Sequence, residues 1–289
     1  MSSEAAARHG PRGFDRLAAA PGAVVTATLV LLPLALVLVL SVRVNDGTLV
    51  AARFTLDNLA GVVFDPLYRM VLARSLAIAA LVTIATVAAA YPVAYAIAFH
   101  GGRHKALLLF LVSLPFWTSY LLRVFAWKIV LAYNGVLNSA LAGLGLVGAP
   151  IGLINTPGAV VLTLAHAYAA FAILPIYVAL DAVPRSLIEG AADLGARPWT
   201  TFTRVVLPLS MPGVLSAALV VFVPTVGDYV TPALVGGPSS TMIGSIIQSQ
   251  FGKANDWPFG AAVSVVAMAV VAVALLLVAA ADRRFGRRA

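Results

Sequence analysis

The side chains of this sequence that are equipped for chemistry concentrate in two places. The first is Phe222-Val223-Pro224-Thr225-Val226-Gly227-Asp228-Tyr229-Val230-Thr231-Pro232, where a carboxylate interrupts an apolar run. An ionisable group in such surroundings is costly to desolvate and ordinarily faces a pathway or a partner. Asp228 is flanked by Gly227 and bracketed by Pro224 and Pro232, and prolines there leave carbonyls free to line a cavity. A straight helix would carry Asp228 about 24 Å beyond Pro212, towards one end of the segment. Two structural uses compete with a pathway role: pairing with Arg123, or capping a helix broken at this point. The candidate path residues are Asp228, Tyr229 and Phe222, with Trp117 and Tyr120 from an aromatic cluster that also holds Phe116, Trp127 and Tyr133.

The second place is the polar stretch Ser186-Leu187-Ile188-Glu189-Gly190-Ala191-Ala192-Asp193-Leu194-Gly195-Ala196. Ser186 with Glu189 reads as a capping box that starts a helix near Leu187. Gly195 suits a left-handed helix end, and Pro198 the first turn of a second short helix that Pro208 then stops. Gly190 weakens the first helix by about 1 kcal/mol relative to Ala. Asp193 and Arg197, four apart, are expected to pair for about 0.2–0.5 kcal/mol. Ala191, Ala192 and Leu194 leave a low profile against which another protein's groove can close. The chemistry here is docking, and the candidate residues are Ser186, Glu189, Gly190, Ala191, Ala192, Asp193, Leu194 and Gly195.

Catalysis and cofactor chemistry find no support. The sequence has no cysteine, so disulfides and thiolate metal sites are excluded. His9, His100 and His104 lack partners at metal-ligand spacing, and His166, beside Tyr168 and Tyr177, is expected to act as a hydrogen-bond donor between packed helices. No nucleophile–base–orienter set is recognisable. No phosphate-binding loop of the G-x-x-x-x-G-K-[ST] type occurs, so any nucleotide chemistry belongs to another polypeptide. The expectation is a non-catalytic chain that carries no cofactor.

The elements that must position these residues are membrane helices. The 289 residues are 61% hydrophobic and 10% charged, whereas soluble domains carry about 25% charged residues. Six apolar runs each exceed the ~20 residues needed to cross a bilayer as a helix: 21–42, 71–98, 105–131, 157–180, 212–235 and 259–281. The β-barrel alternation is absent. The first run is longer than a signal-peptide core, and Ser41-Val42-Arg43 is a poor cleavage site, so it reads as a retained helix.

With both ends inside, the cytoplasmic side holds Arg8, Arg12, Arg16, Arg103, Lys105, Arg185, Arg197, Arg204, Arg283, Arg284, Arg287 and Arg288. The outer side holds only Arg43, Arg53, Arg69, Arg74 and Lys253; Arg123 and Lys128 lie near an outer helix end. This asymmetry predicts an even number of spans. The net charge of +8 therefore reads as topology and contact with anionic lipid, with no nucleic-acid partner. The expected organisation is an N-terminal cytoplasmic tail (1–20), a first helix (21–42), a single membrane core (71–281) enclosing a cytoplasmic loop (181–211), and a basic cytoplasmic tail (282–289). The 43–70 loop is charged. The 132–156 segment is uncharged, rich in glycine, and a candidate for partial re-entry into the membrane.

The loop resembles the cytoplasmic "EAA" loop of permease subunits in bacterial ABC importers. Glu189 opens the pattern, Gly195 holds the glycine, and Val205, Leu207 and Pro208 complete it, with Gly190 in place of the first alanine and Val205 in place of the more usual isoleucine. Further stretches are similar to spermidine/putrescine-type permeases, from about Val71 to the last span. They are Leu114-Pro115-Phe116-Trp117-Thr118 with Arg123 and Trp127, Gly227-Asp228-Tyr229-Val230-Thr231-Pro232 with Gly236-Gly237, and Asp256-Trp257-Pro258-Phe259-Gly260.

The resemblance implies an all-α, six-helix polytopic fold of the type I ABC importer permease kind in the bacterial inner membrane. It also implies that the loop is a coupling helix seated on the ATP-hydrolysing subunit. The implied partners are a second, different permease chain, an ATPase dimer that holds ATP and Mg, an extracytoplasmic binding protein and a small-molecule substrate. That substrate is a polyamine, or in related members an opine or other small organic solute. Carboxylates and aromatic faces suit a polyammonium ion through charge and cation–π attraction, while Arg123 and Lys128 would repel it if they faced the path. An ion-coupled secondary transporter acting alone is the alternative; it predicts two related halves and several intramembrane charges, and neither is evident. A membrane-embedded enzyme is a third reading, and it lacks a catalytic constellation.

Overall fold

The computed structural model of the chain describes residues 13–45 and 53–285. Arg8, His9 and Arg12 of the expected N-terminal tail, Asp46 of the outer loop, and Arg287 and Arg288 of the basic tail lie outside the described residues. Among the described residues the chain is helical, apart from one isolated bridge between Arg43 and Phe54. The helices are α1 (Gly13–Ser41), α2 (Asp57–Phe64), α3 (Pro66–His100), α4 (Lys105–Ser113), α5 (Tyr120–Val130), α6 (Val136–Gly143) and α7 (Pro157–Asp181). They continue as α8 (Arg185–Asp193), α9 (Pro198–Thr201), α10 (Leu207–Val226), α11 (Val230–Val235), α12 (Ile243–Phe251) and α13 (Trp257–Phe285).

Two long helices begin by the same device. Asp65 accepts from the Leu67 N–H at 2.7 Å ahead of α3, and Thr156 accepts from the Ala159 N–H at 3.1 Å ahead of α7. Each cap is followed by a proline at the first helical position, where a missing N–H costs nothing and φ is already helical. Five helical segments are long and apolar enough to cross a bilayer, and a bent pair makes a sixth if taken as one span.

That bent pair corrects the expected straight span 105–131. Residues Gly102–Trp117 and Tyr120–Val130 meet at 86°. Pro115 sits in a 3₁₀ turn, Leu114–Trp117, and Thr118 follows in extended conformation. The proline supplies no N–H to continue an α ladder, and the Thr118 hydroxyl takes the Pro115 carbonyl instead, at 2.6 Å. The expected run 212–235 is likewise not one helix: α10 ends at Val226, and α11 starts only at Val230. α1 begins at Gly13, within the expected tail, and α13 runs on to Phe285.

α3, α7 and α10 pack together as the centre of the molecule. Small residues allow the approach: Ala90, Ala94 and Ala98 of α3, Ala172 of α7 and Ala217 of α10 are all buried. A Cβ on Gly213 would collide with Ala179 and the Pro175 carbonyl, so α7 and α10 close to backbone contact there. Membrane helices associate through such van der Waals fit, since burying apolar surface away from lipid gains little. A second cluster gathers Val62, Val71, Ala79, Val226, Ile243 and Val263 where α2, α3, α12 and α13 meet. α1 lies along α13, and only 6% of its apolar stretch is buried within the chain. The uncharged 132–156 segment folds around Asn138, 2% exposed, whose amide donates to the carbonyls of Ala132, Tyr133 and Ile151 and accepts from the Ile151 N–H.

Candidate functional site

The polar stretch forms a helical hairpin between two spans. α8 runs from Arg185 to Asp193 and is strongly amphipathic. The expected capping box is not formed. Pro184 occupies the N-cap with no side-chain bond, so the helix starts two residues before Leu187 and Ser186 falls inside the first turn. Pro184, in extended conformation with φ fixed by its ring, sets that boundary, and its carbonyl takes the Leu187 N–H at 3.1 Å.

The other end conforms to expectation. Gly195 has φ +77°, its N–H bonds the Ala192 carbonyl at 2.8 Å, and the Ala196 N–H reaches back to Ala191 at 3.0 Å. This pair of bonds is the Schellman motif, which locks the turn at a residue that avoids the Cβ penalty.

The hairpin has one buried and one outward side. Ile188 packs into the central core, whereas Ser186, Glu189, Ala192, Asp193, Leu194 and Gly195 are exposed, Leu194 to 90%. Gly190 and Ala191 are half-buried between the two sides. Asp193 and Arg197 do not pair, because the left-handed turn at Gly195 ends the helical spacing that would have brought them together. Among the described residues the one ion pair joins Lys105, at the start of α4, to Asp181, the last residue of α7. It ties down the strand of chain that leads into the hairpin.

Pro208 does not stop the second helix. α9 runs through a π turn, Phe202–Val206, directly into α10, and the Leu207 N–H bonds the Phe202 carbonyl five residues back. Pro208 would clash with the carbonyl four residues before it in a regular helix, and the wider turn relieves that clash. The motif residues Val205, Leu207 and Pro208 therefore encode a change of helical register.

The second site lies where α10 breaks. Asp228 is 8% exposed, with both carboxylate oxygens engaged. One oxygen accepts from the Val230 N–H at 3.0 Å and the other from the Tyr120 hydroxyl at 2.7 Å. The Tyr120 oxygen also lies 2.6 Å from Thr231 Oγ1. Because Tyr120 spends its proton on Asp228, Thr231 donates to Tyr120, and a Thr231–Tyr120–Asp228 chain joins α5 to the start of α11. A close approach behind the break supports it: Gly244 of α12 sits so tightly against the Gly227 and Asp228 carbonyls that a Cβ would not fit.

Of the two structural uses weighed for Asp228, pairing with Arg123 is absent; the carboxylate takes the first N–H of α11 from the residue before the N-cap, Tyr229, whose own side chain makes no cap bond. The Arg123 guanidinium donates to the Ala167 carbonyl at 2.9 Å and lies 5.9 Å from the Tyr120 ring centroid, while its Nε is buried without a partner. Phe222 packs in the second apolar cluster, Tyr229 is 46% exposed, and Trp117 stands outward, 79% exposed, on the turn before α5. The structure thus unites Tyr120 with Asp228, and not the other three candidates. His166 meets Trp127 edge-on at 5.4 Å. Thr231 was not among the candidates. Its sole sequence signal is its place three residues after Asp228, in the stretch that follows the break.

A family profile described as "Binding-protein-dependent transport system inner membrane component" matches residues 89–288. The chain is 36% identical to the "Spermidine/putrescine transport system permease protein PotB" of Haemophilus influenzae over 260 residues, covering 90% of this chain and 91% of that protein. It is 38% identical to the protein of the same name from Escherichia coli K12, covering 84% and 88%. Among solved structures it is similar to a bacterial ABC transporter involved in the import of the acidic polysaccharide alginate. The TM-score is 0.71 at 16% identity, covering 94% of this chain and 96% of that one. A bacterial alginate ABC transporter in complex with alginate pentasaccharide-bound periplasmic protein gives a TM-score of 0.74 at 16% identity, over 95% and 96%. At that identity the shared property is the fold.

Proposed function

The chain belongs to the family of binding-protein-dependent transport system inner membrane components and is a multi-pass permease subunit of an ABC importer; on that premise we propose that its substrate is a polyamine. A separate ATPase dimer would dock on the α8 hairpin, a second permease chain would complete the path, and an extracytoplasmic binding protein would deliver the substrate. ATP and Mg belong to the ATPase, since this sequence has no loop to cradle phosphates. ATP binding closes the motor and opens the path outward; hydrolysis resets it inward.

One observation carries the docking assignment: Leu194, 90% exposed, crowns a hairpin whose turn is locked by Gly195 and whose inner face is anchored by Ile188. An apolar tip on a rigid support is suited to burial in a partner's cleft. Glu189, Ala192 and Asp193 flank it on the same outward side. For the path, Asp228 and Tyr120 are the proposed cation-binding pair. A substrate ammonium displaces the Tyr120 hydroxyl from the carboxylate, and the aromatic rings of Tyr120, Tyr229 and Trp117 offer further cation–π faces, with Phe222 supporting the α10 side.

The cysteine-free background makes the test direct. A single Cys at Ala192 in the assembled importer should cross-link to Cys residues along the ATPase groove, with a yield that changes with nucleotide. Proteoliposomes holding the complex and its binding protein should take up labelled spermidine or putrescine on addition of internal ATP. No cross-link at any groove position would remove the docking assignment, and cross-linking without polyamine uptake would remove the substrate.

A further inference from the structure

Beyond the hairpin itself lies the question of how its displacement crosses a weak stretch of helix. α9, the π turn and α10 form one continuous helix, Pro198–Val226. Pro208 and Pro212 deprive it of two backbone donors close to the widened turn. Missing donors and π turns are where helices kink, so force entering at the hairpin would be absorbed there as bending. The structure places a clamp across that stretch.

The clamp follows from register. Phe202 and Ser210 are eight residues apart, which at ~100° per residue would set them about 80° apart around a regular helix. The π turn accommodates one extra residue, so the pair behaves as if seven apart, within about 20° of two full turns. Both side chains therefore face α3. The ring of Tyr91 meets Phe202 edge-on at 5.8 Å and 84°, and its hydroxyl lies 2.9 Å from Ser210 Oγ. Ser210 donates its own proton to the Leu207 carbonyl at 3.0 Å, so Tyr91 is the donor to Ser210.

One turn along α3, Tyr95 meets Phe202 at 6.0 Å and 76° and Phe99 at 4.7 Å. On the hairpin side, Trp199 lies against Phe202 at 5.4 Å and 30°. Phe202 is thus the one ring that touches the hairpin's second helix and two tyrosines of α3. The Tyr91 hydroxyl bridges the same pair of helices beyond the π turn.

We propose that Phe202, aimed by the π turn between Tyr91 and Tyr95, is a positioning residue that makes the docking hairpin, α3 and the start of α10 move as one body. The inference rests on the docking role proposed above. A helix that would bend at Pro208 and Pro212 is braced by a neighbour, and the hairpin's displacement reaches two core helices together. Edge-to-face aromatic pairs are attractive beyond the area they bury, and Phe202 makes one with each tyrosine.

The test uses the full-length chain assembled with its ATPase in proteoliposomes, spin-labelled at Arg197→Cys, exposed in the hairpin outside the proposed docking residues, and at Val93→Cys. The measurement is the distance between the hairpin and α3, with and without ATP. In the parent the distance is expected to stay constant between the two states. In Phe202→Ala the fraction of complexes keeping that distance under ATP should fall about three- to tenfold. Phe202→Tyr, which keeps the ring, should behave as the parent. Tyr91→Phe removes only the hydroxyl bridge and should show a smaller loss in the same direction, which secures the test if Phe202→Ala does not accumulate.

A parental distance that changes with ATP would overturn the proposal, and so would a constant distance in both Phe202→Ala and Tyr91→Phe. Cross-linking of Ala192→Cys to the ATPase separates the two readings. If it persists in either overturning case, the clamp alone fails. If it is absent in the parent, the docking role fails and takes the clamp with it.

Discussion

Single residues set the two sites, through backbone geometry in one and charge in the other. Gly195 holds φ +77°, a conformation that costs a side-chain-bearing residue about 1–2 kcal/mol. Gly195→Val should therefore loosen the hairpin while leaving the spans inserted. The check is a loss of Ala192→Cys cross-linking to the ATPase with unchanged membrane accumulation. Glu189 makes no cap and is exposed, so Glu189→Lys should act purely on the docking surface and give the same loss without altering thermal stability. Asp228 presents the opposite case, a carboxylate engaged on both oxygens. Asp228→Asn retains an oxygen for the Val230 N–H, removes the charge, and turns the acceptor facing Tyr120 into an amide donor, so the Tyr120 hydroxyl must redirect its proton to Thr231. Spermidine uptake should show an apparent KM raised about tenfold, equivalent to about 1.4 kcal/mol, with little change in Tm. An unchanged KM would take Asp228 out of the path.

At the scale of elements, prolines and small residues decide more than hydrophobicity does. Pro66 and Pro157 begin helices, Pro115 lies at the 86° bend of one span, and Pro208 widens a helix it had been expected to end. The same residue type has three outcomes because its missing N–H and fixed φ are harmless in a first turn and disruptive beyond it. Whether a disrupted helix breaks or merely widens depends on what neighbouring elements hold in place. Gly213 shows packing of the same kind. Gly213→Val would drive a side chain into Ala179 and the Pro175 carbonyl, parting α7 from α10, and overpacking of this kind costs about 1–3 kcal/mol. A lowered Tm in detergent is the expected readout. Asn138→Ala would leave the carbonyls of Ala132, Tyr133 and Ile151 without their amide partner. Hydrogen bonds of this kind contribute about 0.5–1.5 kcal/mol each, so proteolysis should open the 132–156 segment before the spans.

For the whole molecule, the distribution of basic residues predicts both termini and the hairpin inside. A membrane-impermeant maleimide should label Lys253→Cys in intact cells and reach Ala192→Cys only after permeabilisation; the reverse pattern would invert the topology. The helical membrane class, most of the long apolar helices and the hairpin after α7 were legible in the chain itself, because each depends on a local property. Run length sets whether a helix can cross a bilayer, and Gly195 needs only its own φ to end α8. The interruption at Asp228 was legible for the same reason, but its partners were not. Tyr120 is 108 residues away and Thr231 carried no distinguishing feature, and only the fold of α5 onto α11 brings the three hydroxyl and carboxylate groups within hydrogen-bonding reach. The bend in the third span and the π turn were hidden likewise, since a proline specifies what a helix cannot do and leaves the neighbours to choose the remedy. Sequence alone determined which segments enter the membrane and where a partner could grip; tertiary packing decided which polar groups meet inside it, because a desolvated hydrogen bond is defined by two positions at once.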